Sequence, residues 1–305
     1  MNVVGIPILA VFGPAFLFLS SGMGQDTGPS PVSIVWSPEA ETSGVCVNRR
    51  NWYVTVIPRV VDSEGAAGPS LQAAGQRVSA KILHVDERQR LCLLEASEEI
   101  AEQMPVALAS GPAARAGELL ESLAPDSDCR ATVAGKEWSY RGEQLGIPLL
   151  RIRFADAGHL CAPGAPLVNQ TGELECLLTD RELASETEAH AIPASQIRKL
   201  VLDMQRHQRT GRVWVGLVFH NHSSTPEVLE VKPNSPAEDG GFKPGDVILS
   251  LNRIEIDDLA DVVEAVHNLP AGEATTFTVL RGLSRKPLEV VPEFAEANGK
   301  AARIP

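Results

Sequence analysis

The sequence is poor in aromatic side chains and in positive charge. Its 305 residues include four Trp, two Tyr and eight Phe, and 27 Lys and Arg stand against 39 Asp and Glu, a formal net charge of −12. A chain this acidic lacks the broad positive field that drives binding to nucleic acids, so we exclude that class of partner. The 25 glycines and 22 prolines predict many turns, and the length predicts about two domains.

Charge is also missing from the N-terminal 25 residues. The apolar run from Val3 to Leu19, followed by small residues, is typical of a secretory signal that is cleaved after Gly24. The alternatives are a retained anchor or a wrongly assigned start, because no Lys or Arg precedes the run and Gly13 and Pro14 interrupt it. No other stretch approaches the roughly 20 apolar residues that a membrane span needs. We therefore expect an extracytoplasmic protein, periplasmic or secreted.

Cysteine is infrequent and forms no C-x-x-C motif, which removes support for zinc or thioredoxin-type chemistry. The odd number of cysteines leaves at least one thiol unpaired or paired between chains. Cys46, Cys92 and Cys176 lie in apolar, strand-like surroundings that predict small core residues. Cys129 and Cys161 flank loops and are the better candidates for a disulfide. Since His220 and His222 lack an evident third ligand, we expect neither a metal nor any other cofactor.

The apolar patterning divides the chain into units. Short runs such as Tyr53 to Ile57 recur up to about Pro193 and predict a sandwich or barrel, and the spacing from Ala194 to Gln208 predicts a helix. The resulting segments are 1–24 signal peptide or anchor, 25–40 linker and first strand, 41–205 first globular domain, 206–212 hinge, 213–294 second domain, and 295–305 flexible tail.

The second domain has the more specific motif. Ser235 and Pro236 open a short helix, and the string S-P-A-x-x-G-G-F-K-P-G-D-V-I-L-S-L-N ends at Asn252. This string resembles a PDZ domain of the kind fused to exported proteases. The resemblance implies binding of a chain terminus by strand addition, with the terminal carboxylate on the amides of an x-Φ-G-Φ turn. That turn matches Trp214-Val215-Gly216-Leu217.

The resemblance also assigns the side chains of the peptide pocket. Val215, Gly216 and Leu217 would supply the carboxylate amides and one wall, and Leu259, Val262 and Val266 on a helix capped by Asp257 or Asp258 would supply the other. Core packing is the alternative for these residues, and we favour it for Val263.

Residues 43–205 resemble the HtrA (Deg-type) serine proteases. The matching motifs follow in the family's order: S-G-V-C-V from Ser43, G-E-L-L-E-S-L-A-P from Gly117, P-L-V-N from Pro166 with Gly172-Glu173, and A-I-P from Ala191. The resemblance implies a mainly β fold, a trypsin-like double β-barrel followed by the α+β PDZ domain. It also raises the prospect of a homo-oligomer, because many HtrA proteases are trimers.

The family cuts peptides with Ser, His and Asp, and this chain departs from all three. Arg59 stands at the histidine of N-H-V-V-D, Arg90 at the aspartate of D-x-x-x-D-L-A-L-L, and Pro163 at the serine of G-N-S-G-G-P-L-V-N. An arginine stays protonated and cannot act as the base, and a proline has neither nucleophile nor N–H. We therefore expect no catalytic residues, and a pseudoprotease that binds protein C-termini or extended peptides as an adaptor or regulatory subunit in extracytoplasmic quality control.

Rival readings stay open at this point. An active peptidase would need a relocated nucleophile, such as Cys161 with His159, or a triad placed elsewhere, although no serine lies in a G-x-S-G-G context. His190 would line the former substrate pocket or simply pack there. A third possibility is a structural partner of an active HtrA-type protease.

Overall fold

The computed structural model describes residues 29–58, 68–86, 89–101, 103–110, 114–124, 129–138, 148–155, 161–179, 187–219, 224–295 and 301–302. The predictions for the N-terminal segment 1–24, Arg59, His159, His220 and His222 lie outside these residues. Among the helices that are described, none combines the length and the apolar character needed to cross a membrane.

The first barrel is formed by β1 (Pro31–Ser37), β2 (Ala40–Asn48), β3 (Trp52–Val56), β4 (Ser70–Ala73), β5 (Gln76–Asp86) and β6 (Leu91–Ala96). These strands close in the order β1-β2-β3-β6-β5-β4, and every pairing is antiparallel. The alternation of side chains along β3 explains its complete burial: Tyr53 faces the barrel interior, whereas Trp52 and Val54 face the second barrel. A strand with both faces covered is therefore apolar at nearly every position.

The second barrel is formed by β7 (Leu119–Ser122), β8 (Arg130–Trp138), β9 (Pro148–Phe154), β10 (Pro166–Val168), β11 (Leu174–Leu178) and β12 (Glu188–Pro193). These strands close in the order β10-β11-β12-β9-β8-β7. The chain passes directly from Pro193 into α1 (Ala194–His207), whose buried stripe of Ile197, Leu200, Val201 and Met204 packs into the cluster between the barrels. The predicted helix is thus confirmed, and it closes one side of the seam between the barrels.

The third unit contains β13 (Val213–Trp214), β14 (Leu217–Phe219), β15 (Val228–Val231), α2 (Pro236–Asp239), β16 (Val247–Leu251), β17 (Ile254–Glu255), α3 (Leu259–His267), β18 (Thr275–Arg281), β19 (Ser284–Val290), β20 (Glu293–Ala295) and β21 (Ala301–Ala302). Its main sheet has the order β17-β16-β18-β19, and β14 pairs with β15 beside it. Two barrels followed by a separate α+β unit are the predicted architecture, which is confirmed.

Of the predicted flexible tail over 295–305 the structure describes only residues 295, 301 and 302, and the rest of that prediction lies outside the described residues. Ala295 belongs to β20 and pairs with Ala301 of β21. Phe294 anchors this region, because the ring of His207 meets it edge-on at 5.3 Å and the Arg209 guanidinium lies 4.3 Å from its centroid. Phe294 thus packs β20 against the C-terminal end of α1.

Candidate functional site

Gly216 lies at the bend that joins β13 to β14. Its φ is +86°, and an added Cβ would come within 2.2 Å of the Ser235 Cβ and 2.5 Å of the Ser235 Oγ. Glycine is therefore required both for the backbone conformation and for the close approach. The carbonyls of the turn are already engaged, since Val215 accepts from the Ala237 N–H at 2.9 Å and Gly216 from the Lys232 N–H at 2.8 Å. These two hydrogen bonds fix the carbonyl side of the turn.

The other side of this turn is available for a ligand. The N–H groups of Val215 and Gly216 make no hydrogen bond to another described residue. In the described part of the chain β14 pairs with β15 alone, through Leu217 opposite Val231, so its second edge is open. Adjacent N–H groups at a bend form an anion-binding concavity, and an open strand edge accepts an extended peptide. The geometry suits a strand that ends in a carboxylate.

Helix α3, the expected second wall of this groove, packs in the same apolar cluster as the turn. Asp258 caps it by accepting the Asp261 N–H at 2.9 Å, as predicted for one of the two aspartates. The N–H of Leu259 donates to the Ser224 carbonyl at 2.9 Å, which places the start of the helix at the loop end of the β14–β15 hairpin.

The structure corrects one pocket residue of α3. Val262 is 1% exposed and packs in the core of the third unit, so it does not line the groove. Val263, which the sequence predicts as a core residue, is only half-buried. Leu259 and Val266 are half-buried as well. Leu259, Val263 and Val266 share one face of the helix through their i, i+4, i+7 spacing, whereas Val262 lies about 100° around the axis from Val263.

Asp246 and Arg281 anchor the glycine-rich turn next to α2. Arg281 donates to both carboxylate oxygens of Asp246 at 2.6 Å and to the Gly241 carbonyl at 2.8 Å. Burial of Asp246 works to raise its pKa, but the hydrogen bonds from Arg281 and from the Lys243 N–H outweigh burial and hold the pKa below the ordinary 3.8. The carboxylate thus stays charged and holds the turn to β18.

Arg90, the residue expected at the orienting-aspartate position, has φ +58° and lies just before β6. Its Nε donates to the Ile57 carbonyl at 2.8 Å, its Nη2 donates to the Pro58 carbonyl, and its own carbonyl accepts the Ile57 N–H at 2.8 Å. The guanidinium therefore binds the backbone that immediately precedes position 59.

Pro163 lies where the second barrel meets the first. Its carbonyl accepts the N–H of Ser43 in β2 at 2.8 Å. Next to it Gly164 has φ +80°, and an added Cβ would come within 2.0 Å of the Ser43 carbonyl oxygen and 2.9 Å of the Thr55 Oγ1. The loop carrying Pro163 is thus pressed against two strands of the first barrel, where the two barrels meet.

Thr55 is a residue of this barrel contact that the sequence reading missed. It is fully buried in β3, and its hydroxyl donates to the Ser43 carbonyl at 2.6 Å. The Thr42 hydroxyl lies 3.0 Å from it and accepts the Trp36 indole N–H at 2.8 Å. A threonine inside the apolar run Tyr53 to Ile57 was the available signal, because a buried hydroxyl needs a partner.

The cysteines are arranged as expected from their surroundings. Cys129 and Cys161 form a disulfide, which ties the start of β8 to the loop that carries Pro163. Cys46, Cys92 and Cys176 are free and buried, and burial raises the pKa of each thiol. The thiol of Cys161 is therefore consumed in a disulfide, and the other three are held protonated.

The remaining candidates supply no further chemistry among the described residues. His190 is half-buried in β12 opposite Arg151, and its carbonyl accepts the N–H of Thr179 at 2.9 Å. Within the described ranges no group of three or more His, Cys, Asp and Glu side chains has the arrangement of a metal site.

Both parts of the chain are similar to known proteins. Residues 213–291 match the PDZ domain family. Serine protease HTRA1 of Xenopus tropicalis is 25% identical over 254 residues, which cover 73% of this chain and 54% of that protein. A probable periplasmic serine endoprotease, DegP-like, of Brucella suis biovar 1 (strain 1330) is 25% identical over 261 residues, which cover 80% of this chain and 50% of that protein. The chain spans about half the length of these curated relatives.

A solved structure of similar fold is the HtrA-type protease AlgW with tripeptide. It superposes with a TM-score of 0.54 at 18% identity, over 87% of this chain and 93% of that one. The same protease with decapeptide gives a TM-score of 0.52 at 17% identity, over 88% of this chain and 96% of that one. With its two six-stranded barrels and its matched C-terminal unit, the chain has the architecture of an HtrA-type trypsin-like protease followed by a PDZ domain.

Proposed function

We propose that this chain is a non-catalytic HtrA-type protein that binds protein C-termini or extended peptides through its PDZ domain. One observation carries the proposal: the uncommitted N–H groups of Val215 and Gly216 lie at the end of the open edge of β14. A carboxylate there accepts charge-assisted hydrogen bonds, and the preceding peptide extends the β14–β15 sheet. The half-buried apolar side chains of Leu217 and Val266 suit an apolar terminal residue.

The absence of catalysis rests on the chemistry of three residues. Pro163 offers no nucleophile, and Arg59 cannot accept a proton at neutral pH. The guanidinium of Arg90 is bonded to backbone carbonyls and repels, rather than orients, an imidazolium. The disulfide at Cys161 removes the thiolate that a relocated mechanism would use. These features support a pseudoprotease over an active endopeptidase.

The compartment and the partners follow from the same proposal. Exposure to an oxidising environment agrees with the Cys129–Cys161 disulfide, and the similar DegP-like protein is described as periplasmic. In that setting the protein acts as an adaptor or regulatory subunit in protein quality control. Its partners are peptide or protein C-termini, with an active HtrA-type protease or further copies of this chain as candidate assembly partners.

The test of terminus recognition is fluorescence anisotropy on the full chain, using one peptide with an apolar last residue in free-acid and amidated forms. Amidation removes the charge, so we expect affinity to fall about tenfold or more. Gly216→Ala should weaken the free-acid peptide similarly, because the new Cβ clashes with Ser235.

Gly282→Ala is the matched control for this experiment. Gly282 also has positive φ, +63°, but no atom lies within 4 Å of the position that an added Cβ would take, so the variant carries the backbone strain without the clash. It should keep the affinity of the unmodified chain. Equal affinity for free and amidated peptides would mean that the groove does not read a terminus.

A further inference from the structure

Opposite charges face each other across the contact between the protease-like part and the PDZ domain. A cavity of about 650 Å³ separates the two walls. The wall formed by the second barrel and α1 carries Arg115, Lys136, Arg198 and Lys199. The wall formed by the PDZ domain carries Glu255, Asp257, Asp261, Glu264 and Glu273, with Arg253 as its single cation among the described lining residues. Charge is thus sorted by domain, although the whole chain is strongly acidic.

Two ion pairs join the walls. Lys136 Nζ lies 2.7 Å from Glu264 Oε2, and the Glu264 side chain is only 10% exposed. Arg206 Nη1 lies 2.5 Å from Glu273 Oε2, where both side chains are more than 40% exposed. The Glu264 side chain is mostly buried while a third of Lys136 stays exposed, so this pair is stronger than an exposed pair, which contributes little, and is still reached by salt. The contact between Lys136 and Glu264 is therefore the dominant electrostatic link.

Lys199 does not take part in this link. Its Nζ is bonded to Asp203 within α1 and to the Gly211 carbonyl at 2.7 Å. Next to the ion pairs, His207 Nε2 donates to the Ala271 carbonyl at 3.0 Å, and the His207 ring meets Phe294 edge-on at 5.3 Å. Among the described residues no apolar cluster spans the second barrel and the PDZ domain, so the docking of the PDZ domain relies mainly on charge.

We infer that the PDZ domain is docked on the second barrel by an ionic contact centred on Lys136 and Glu264, and that rising ionic strength or loss of this pair releases it. Glu264 lies on α3, which also carries the groove residues Val263 and Val266. Docking therefore fixes the helical wall of the peptide groove against the barrel. The inference does not depend on whether the groove binds a chain terminus.

The test is small-angle X-ray scattering of the full chain at low and high salt. Between about 0.1 M and 1 M salt the Debye length falls from about 10 Å to about 3 Å, so the radius of gyration should rise as the domains separate. Lys136→Glu and Glu264→Lys, each placing like charges together, should raise the open-to-closed ratio about tenfold at low salt. The double exchange K136E/E264K should restore the compact form, which a merely misfolded variant would not do.

Arg130→Glu supplies the matched control. It makes the same charge change on the second barrel, but Arg130 pairs at 3.9 Å with Glu121 inside that barrel, and both side chains are largely exposed. This variant should stay compact at low salt. A radius of gyration that is independent of salt, or a K136E protein that scatters like R130E, would overturn the inference.

Discussion

At the residue scale, Asp246 shows how a buried charge holds a turn. Its carboxylate is inaccessible to solvent and receives two hydrogen bonds from Arg281 at 2.6 Å. Because its pKa is lower in the folded state than in the unfolded state, the pair stabilises fully above about pH 4 and loses that contribution as the pH falls through the depressed pKa.

We expect Asp246→Asn to lower the free energy of unfolding by about 1–3 kcal/mol at neutral pH, since charge-assisted bonds to Arg281 are lost. The difference from the unmodified chain should shrink as the pH falls below 3.8 and on through the lower pKa of folded Asp246, where the wild-type carboxyl also becomes neutral. Chemical denaturation at several pH values measures both effects. Glu230→Gln is the control, because Glu230 and Lys232 form an exposed pair. A pH-independent difference would contradict the titration argument.

At the scale of elements, α1 connects the barrels to the hinge. Lys199, with an 8% exposed side chain, is bonded to the fully buried Asp203 one turn later and to the Gly211 carbonyl. Burial raises the pKa of Asp203, and the charge of Lys199 opposes that rise. The helix thus contains an ion pair with little access to solvent, at the point where the chain leaves the barrels.

Lys199→Met should therefore destabilise the protein by about 3–5 kcal/mol, because it leaves the Asp203 charge buried without its partner. The double variant K199M/D203L should recover much of this loss, since both charges are removed. Arg153→Met is the control: its partner is the partly exposed Glu188, so it should cost below about 1 kcal/mol. Thermal or denaturant unfolding measures the series. A K199M variant as stable as R153M would show that the pair does not hold the helix.

Most elements were predictable because their signals are local. Ser235 and Asp258 cap α2 and α3 as their sequence contexts indicate, and the i, i+3, i+4, i+7 spacing sets α1 to within one residue at its C-terminal end. The side of α3 that faces the groove was less predictable, because a stripe of valines does not distinguish Val262 from Val263. Their different burial is set by tertiary packing, because Val262 joins a core cluster that includes Phe277 and other residues distant in the sequence.

The site itself was predictable in part. The glycine of the peptide turn follows from its motif, and its contact with Ser235 agrees with the need for glycine there. The contacts of Arg90 and Pro163 could not be predicted from the sequence, because they join segments that are 32 and 120 residues apart along the chain. Charge sorting across the PDZ contact was hidden for the same reason: the net charge of −12 says nothing about where each charge lies.

At the scale of the whole molecule, catalysis would require groups from both barrels at once. We expect the chain not to cleave casein and not to react with a serine-directed phosphonate, and Pro163→Ser alone should not restore either activity. Arg59 and Arg90 would still stand at the base and orienting positions, and loss of triad function costs on the order of 10⁶ in rate.

The measurement is a turnover assay with circular dichroism to confirm folding of the P163S variant. The Cys161→Ala variant is the informative comparison, because it removes the sulfur that the rival thiol mechanism needs. Turnover by the unmodified chain that disappears in this variant would refute the pseudoprotease proposal and support a thiol peptidase.

The pairing of Val213 with Phe294 brings the first and last strands of the PDZ domain together. A domain whose entry and exit points are neighbours is a portable module, because it can be inserted, duplicated or circularly permuted with a short connection and little disturbance of its interior. The carboxylate turn at Val215 and Gly216 follows β13 directly, so a fusion partner attached at this junction would need a spacer before Val213 to leave the turn accessible. With such a spacer the domain is a convenient building block for engineered peptide sensors.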